Sequence, residues 1–390
     1  MLGMVKDWFI RFKRDAAERN LNVNIKDFSK LIVIKILANN TIADYLDKKL
    51  YNDKEFVKYI FHLRSNRKTW NEVMKKYKSD ETFLWSVYHR IDYLFCIFLY
   101  PGINIVDYFR YEFYNFSHYK RKQFITKGYL KKLDRRFNGG LDNNSIAVSV
   151  LSDKHLFNKK FSDFVHRKWI ISDNLTKEDF HIFCKELSEV IVKPLNGIQG
   201  KGIYKANVKD DSDIDVIYNE IISSKFIIEE VIKQHPDISL INSTSINTVR
   251  IFTVKKCNGD IIVSDAAFRV GRFGKSTDNY HAGGIAFALD RDTGMVISRG
   301  IDENANSYYV HPDSNITMLG LRIPYWENVK KTCIEAHKKI FQLGYIGWDV
   351  VILEDGNIEL IEGNTFAGVT DLYQAPSLDG RKKAYDDFLK

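Results

Sequence analysis

Up to about residue 135 the apolar positions recur at helical spacing, most clearly in NIKDFSKLIVIKILANNTIADYLDKKL and WNEVMKKYKSDETFLWSVYHRIDYLFCIFL. This pattern predicts a mainly helical N-terminal domain over 1–140. At its start Val5, Trp8, Phe9 and Phe12 form one apolar stripe with Lys6, Arg11, Lys13 and Arg14 around it. The stripe reads as a surface helix packed on the domain, with peripheral contact to a membrane interface as the alternative; Asp7 and the lack of a cleavage site count against a signal peptide. The run YLFCIFLY, Tyr93 to Tyr100, stops at Pro101-Gly102, far short of the ~20 residues a membrane span needs, and predicts a core helix. A turn-rich break, FNGGLDNNS at Phe137 to Ser145, follows. Beyond it IAVSVL predicts a strand and DKHLFNKKFSDF a helix, and from Glu189 strands and helices alternate as in an α+β or α/β fold. Two further domains are expected, 141–235 and 236–390, packed closely because proline is scarce.

Composition narrows this little. A chain of 390 residues that is 45% hydrophobic and 28% charged fits two or three soluble globular domains. Cys96, Cys184, Cys257 and Cys333 lie far apart with no CxxC pair, which suggests neither a disulfide framework nor a zinc site; a reducing cytoplasm fits best, with the inner face of the membrane as the alternative. The net charge is +8, densest in YKRKQFITKGYLKKLDRRF, Tyr119 to Phe137. Such a run is most often a solvated helix face. Its functional reading is attraction of an anionic small molecule or glycan, favoured over nucleic acid because no nucleic-acid motif accompanies it.

Chemistry first shows itself near the end of the chain, in GWDVVILEDGNIELIEGNT. Asp355-Gly356 is a strong signal for a two-residue hairpin turn, and that turn sets Leu353 opposite Ile358 and Asp349 opposite Glu362. Facing carboxylates on otherwise apolar strands repel, and burial makes the repulsion worse. A cation between them would remove the difficulty. Asn364 shares a strand face with Glu362, and the three together make an all-oxygen set suited to a hard divalent ion such as Mg2+.

A second stretch, EVIVKPLNGIQGKGIYKA, runs from a β-type segment through Lys193-Pro194 into a loop with Gly197, Gly200 and Gly202, then into another β-type segment. Glycines let backbone N–H groups wrap an anion and a lysine adds a point charge, so the loop reads as a phosphate cover. It is neither a Walker loop nor GxGxxG, and by itself such a glycine-rich hairpin is structural more often than functional. Further on, SKFIIEEVI ends in Glu229-Glu230-Val231, where backbone groups could meet a purine edge. SINTVRIFTV sets Arg250 on a strand, where a cation needs an anionic partner. AAFRVGRFGKSTDNYHAGGIAFALD sets Arg269 on another, followed by a polar loop with Asn279, His281 and Gly283-Gly284.

In that order these pieces resemble the ATP-grasp superfamily, and more narrowly its sugar-transfer associated members, over roughly residues 145 to 370. The most specific are VKPLNGIQGKGIY, SINTVRI and GWDVVILEDGNIELIEGNT. The resemblance implies an ATP-grasp fold of the α+β class, two subdomains clasping ATP: a lid over 141–235 and a C-terminal subdomain over 236–390. It implies that Lys154, in LSDKHLF, and Lys193 hold the α- and β-phosphates and that the loop of Gly197, Gln199, Gly200, Lys201 and Gly202 closes over them. Glu230 and Val231 would present backbone groups to adenine, with Glu229 near its amine and Asp237 the nearest candidate for the ribose. Asp349, Glu362 and Asn364 would ligate two Mg2+ ions. Arg250 and Arg269 would neutralise the γ-phosphate or a substrate carboxylate, with Asn279 close by. The implied reaction is ATP-dependent joining of a carboxylate to an amine in surface-glycan assembly. A kinase acting on a hydroxyl, or a scaffold binding an acidic polymer or membrane, are the competing readings. The helical first domain departs from the α/β domain common ahead of such modules, and neither substrate nor oligomeric state is legible. His235 and His281 read as loop hydrogen-bonders and Tyr345 and Trp348 as core aromatics, while Arg272 and Lys275 read as part of a flexible substrate-covering loop, with plain solvation as the alternative.

Overall fold

A computed structural model describes residues 102–140, 145–195 and 202–390, together with scattered positions between Trp70 and Tyr100. The stripe at Val5 to Phe12 lies outside the described residues. The chain divides into two compact units, Met1–Phe116 and Ser117–Lys390. The described part of the first is helical and aromatic: Trp70 meets Tyr93 and Phe109 with ring centroids 5.8 and 5.6 Å apart, and Cys96 and Leu99 of the expected core helix are buried. Asn104 caps the Ile105–Arg110 helix by accepting from the Asp107 N–H at 2.8 Å.

The second unit holds two antiparallel sheets. Its first long helix, Lys127–Asn138, is capped by Thr126 and ended by Gly139 at φ 80°, the left-handed conformation glycine adopts without steric cost. Leu130, Leu133 and Phe137 face inward, and the Asn138 side chain accepts from the Gly344 and Tyr345 N–H groups and donates to the Tyr345 carbonyl. The segment expected as a strand, IAVSVL, is instead the helix Ile146–Ser152. Among the described residues it finds no sheet partner, and the residues it buries, Ala147 and Leu151, stand at i and i+4, so tertiary packing overrides the β-propensity of its valines. The Lys154–Lys160 helix follows directly, its N-cap Asp153 accepting from Leu156 N–H at 2.9 Å.

The smaller sheet has the order β1-β4-β2-β3, from Trp169–Ile171 (β1), Glu189–Pro194 (β2), Tyr204–Asn207 (β3) and Phe226–Glu230 (β4). Helices Lys177–Cys184 and Asp211–Ile221 contribute Phe180, Cys184, Ile214 and Ile221 to a core with Val190, Val192 and Ile228. The larger sheet, from Val249–Lys255 (β5), Ile261–Val270 (β6), Ile285–Leu289 (β7), Val296–Ile301 (β8), Ser307–Tyr308 (β9), Tyr345–Ile352 (β10) and Ile358–Asn364 (β11), runs β11-β10-β5-β6-β7-β8-β9. One face, with Val249, Ile251, Ala266, Phe268, Ile346, Trp348 and Val350, packs on the Trp326–Lys338 helix; each such large apolar side chain contributes about 1.5–3 kcal/mol by leaving water. A polar line crosses this core: Trp348 Nε1–H donates to Thr253 Oγ1 at 2.8 Å, Thr253 meets His337 Nδ1 at 2.7 Å, and His337 Nε2 lies 2.9 Å from the Leu343 carbonyl. Because side chains alternate along a strand, the opposite face carries Arg250, Arg269 and Asp349. Every residue of β10 is buried, as a strand covered on both faces requires.

Candidate nucleotide and metal site

The hairpin pairs Asp349 with Glu362, as expected, but by a different route. Ile352, and not Leu353, faces Ile358. Leu353 N–H donates to the Asn357 carbonyl at 2.8 Å and Gly356 N–H to the Leu353 carbonyl at 3.0 Å, with Gly356 at φ 85°, so the turn has three residues, with glycine in the left-handed position. That shifts the register by one. A bulge between the Val350–Leu360 and Asp349–Glu362 pairs shifts it back, and the two offsets cancel.

The counter-charge is also different. Arg250 grips Asp349 with Nε on Oδ1 and Nη2 on Oδ2, the latter at 3.0 Å, and its Nη1 donates to the Ala367 carbonyl at 2.9 Å. Arg269 Nη2 reaches Asp349 Oδ2 at 2.9 Å. Burial alone would raise the Asp349 carboxyl, but Arg250 and then Arg269 outweigh it and hold it well below the usual carboxylate range. The expectation that a divalent cation between them is what makes the facing carboxylates tolerable is therefore overturned for Asp349, where two guanidinium groups already do so. Glu362 differs. Its side chain is 53% exposed, with Arg250 Nη2 3.9 Å away, and the Asn364 amide donates to its Oε1 at 3.1 Å. Its carboxyl is pushed upward, first by the protein gathered around it and then by the charge of Asp349.

Among the described residues no group of three or more His, Cys, Asp or Glu side chains is placed to hold a metal ion. The donor set present fits a hard cation nonetheless. Glu362 carries negative charge that its neighbours leave undercompensated, and the amide oxygen of Asn364 stands beside it. Three guanidinium N–H groups already occupy three of the roughly four lone-pair directions of Asp349.

On the other side of the site the two lysines converge. Lys154, at the start of its helix, sets its ammonium on the carbonyls of Pro194 at 3.1 Å and Leu195 at 3.3 Å, where β2 enters the glycine-rich loop. Its pKa is lowered by burial and then by the Lys193 charge, against the pull of Glu362 and Glu229. Lys193 pairs with Glu229. That carboxylate, 2% exposed, also accepts from Asn158 at 3.1 Å and Arg167 at 3.0 Å; burial opposes its ionisation, but Arg167 and Lys193 hold it well below the usual range.

Gly197, Gln199, Gly200 and Lys201 lie outside the described residues. Gly202 sits at φ +74°, where a Cβ would come 3.0 Å from Pro194 Cγ, and Val192 pairs with Tyr204, so the loop joins two antiparallel strands. Glu229 keeps its carboxylate within the ionic network, and the Glu230 N–H is taken by the Lys168 carbonyl at 2.9 Å. Val231 follows the strand end. Asp237 stands exposed at the start of a short helix, its Oδ2 3.8 Å from His235 Nδ1, and no described contact ties it to the lysines. Asn279 caps a 3-10 turn by accepting from His281 N–H at 3.0 Å. Its neighbour Asp278 is the residue that reaches Arg269 Nε, at 3.5 Å, with Thr248 between them, accepting from Arg269 Nε at 2.9 Å. Sequence reading passes over Asp278, Thr248, Asn158, Arg167 and Glu359. For Glu359 a signal existed: a carboxylate in the apolar hairpin run IELIE.

A family profile described as sugar-transfer associated ATP-grasp matches residues 129–386. No curated protein sequence matches. Among solved structures, the ATP-grasp ligase PsnB complexed with its minimal precursor is similar at 16% identity and a TM-score of 0.39, over 63% of this chain and 62% of that one. D-alanyl-alanine synthetase A from Vibrio cholerae is similar at 12% identity and a TM-score of 0.37, over 60% of each chain. The ADP complex of PurK, an N5-carboxyaminoimidazole ribonucleotide synthetase, gives 14% and 0.34, over 56% of this chain and 45% of that one. The chain thus spans less than two thirds of each of these proteins, and likeness at this level says nothing of substrate.

Proposed function

The chain belongs to the sugar-transfer associated ATP-grasp family, and from that premise we propose that it is an ATP-dependent ligase joining a carboxylate to an amine, with an anionic small molecule or glycan among its substrates. The observation that carries this is the convergence of Lys154 and Lys193 at the entrance of the glycine-rich loop, with Lys154 within the electrostatic reach of Glu362. Phosphate-binding cations and cation-binding carboxylates then share one site.

A carboxylate does not acylate an amine in water, because an oxide would have to leave. Transfer of the γ-phosphoryl group to a carboxylate oxygen gives an acylphosphate and ADP. The amine lone pair then attacks that carbonyl carbon, phosphate departs, and the nitrogen gives up a proton as the amide forms. Such transfer asks the protein for positioning and charge neutralisation more than for a nucleophile. Lys154 and Lys193 hold the phosphates where β2 enters the glycine-rich loop, and Val231 supplies backbone to adenine. Arg250 and Arg269 are fixed on Asp349 and stand beside Glu362 to neutralise charge brought by phosphate or a substrate carboxylate. Magnesium, held by Glu362 and Asn364 beside Asp349, would screen the phosphate charge. The natural acceptor class is a sugar acid or amino sugar of a surface polysaccharide.

The test is phosphate release from ATP and Mg2+ with amino acids paired against uronic and amino-sugar acceptors. A ligase yields ADP and inorganic phosphate only when acid and amine are both present. ADP without free phosphate, with one hydroxyl substrate, identifies a kinase, and no turnover with any pair favours a binding scaffold.

A further inference from the structure

Arg167 lies in the connector between the Lys154–Lys160 helix and β1, in no recognisable motif, yet it is buried and spans three elements. Its Nη2 donates to Glu229 Oε1 at 3.0 Å and to Asn158 Oδ1 at 3.1 Å. Its Nη1 donates to Glu359 Oε1 and to the Leu360 carbonyl at 3.0 Å. Asn158 stands one turn beyond Lys154 on the same helix. Glu229 holds Lys193. Glu359 precedes Glu362 on β11, and the bulge sets both on one side of the sheet, opposite Val351 and Asp349. One planar fork therefore meets the helix of the first lysine, the partner of the second, and the strand of the candidate metal ligand.

We propose that Arg167 is a positioning residue for nucleotide phosphates: through Glu229 it sets the Lys193 ammonium, and through Glu359 it fixes that ammonium relative to Glu362. The proposal rests on the nucleotide reading above. Its physical basis is a charge balance. Arg167 and Lys193 face Glu229 and Glu359, two cations against two carboxylates. A phosphate that draws on Lys193 leaves Glu229 still paired, because Arg167 remains. Without Arg167, Lys193 would be left as the cation paired directly with buried Glu229 among the described residues, and a phosphate would have to compete for it. Lysine in place of Arg167 keeps the charge but cannot reach two carboxylates at once.

The probes are ADP and AMP with Mg2+, titrated against the full chain by calorimetry, with unfolding curves recorded for each variant. The readout is the ratio of AMP to ADP dissociation constants, since only ADP offers a β-phosphate. Arg167→Met is expected to lower that ratio at least tenfold, and Arg167→Lys and Glu359→Gln by intermediate factors, even where the variant unfolds within a few degrees of wild type. If Arg167→Met does not fold, Arg167→Lys decides. A ratio within twofold of wild type in the folded Arg167 variants overturns the proposal, because a merely structural strut would move stability or both affinities alike. Wild-type protein that binds neither nucleotide overturns the nucleotide reading itself, and this proposal with it.

Discussion

Asp349 holds two arginines in place, so the variant that looks most diagnostic of a metal site is not. Asp349→Asn leaves Arg250 and Arg269 buried around a neutral amide, and breaking such a pair costs about 3–5 kcal/mol. Urea unfolding should show that loss, and any loss of turnover would be ambiguous. Glu362→Gln acts on a side chain that is 53% exposed; unfolding should shift by less than about 1 kcal/mol, while ATP binding loses its response to Mg2+. Equal destabilisation by the two variants would contradict this assignment. The residue types of the site are legible in the sequence, since arginine, aspartate and glutamate on apolar strands each demand a partner. The pairing is not: Arg250 and Asp349 lie 99 residues apart, and alternation along a strand tells which face a residue takes but not which strand lies beside it.

The hairpin shows how a correct pairing can rest on a wrong turn. Asp355-Gly356 announces a reversal, but whether the loop holds two residues or three depends on which residue accepts the left-handed conformation, and the bulge that restores the register has no sequence signature. The Ile146–Ser152 helix shows the converse, a β-branched run made helical by what it packs against. Gly363, where a Cβ would fall 2.7 Å from Leu151 Cδ2 and 2.9 Å from Trp348 Cζ3, marks that contact and explains the glycine between Glu362 and Asn364. Behind the site strands, His337 is buried between Thr253 and the Leu343 carbonyl, and burial lowers its pKa from 6.5 to about 4. Between those values the unfolded chain binds a proton that the folded chain refuses, so stability is whole above pH 6.5 and falls as pH drops through 4. The span corresponds to about 3 kcal/mol. Unfolding free energies of wild type and His337→Gln, compared at pH 7 and pH 4.5, should show the variant losing less on acidification; parallel losses would mean that His337 is not the group responsible.

At the scale of the whole molecule, the proposed lid is the four-stranded sheet and the proposed base the seven-stranded one, with Arg167 and the two lysines where they meet. The alternation of strands and helices after Glu189, and the glycine-rich loop between two strands, are legible from sequence. The smaller sheet's strand order is not, because it follows from long-range pairing of β4 with both β1 and β2. Among the described residues no helix is long and apolar enough to cross a membrane. The central claim is that a nucleotide binds where Lys154 and Lys193 meet Glu362, and that it does so with a divalent cation. Thermal unfolding of the wild-type chain with ATP, in Mg2+ and in EDTA, tests it most directly. At a hundredfold excess of ATP over its dissociation constant, stabilisation of about 2.7 kcal/mol is expected in Mg2+, falling to a small fraction of that in EDTA. No shift with ATP and Mg2+ together, or an equal shift in EDTA, would contradict it.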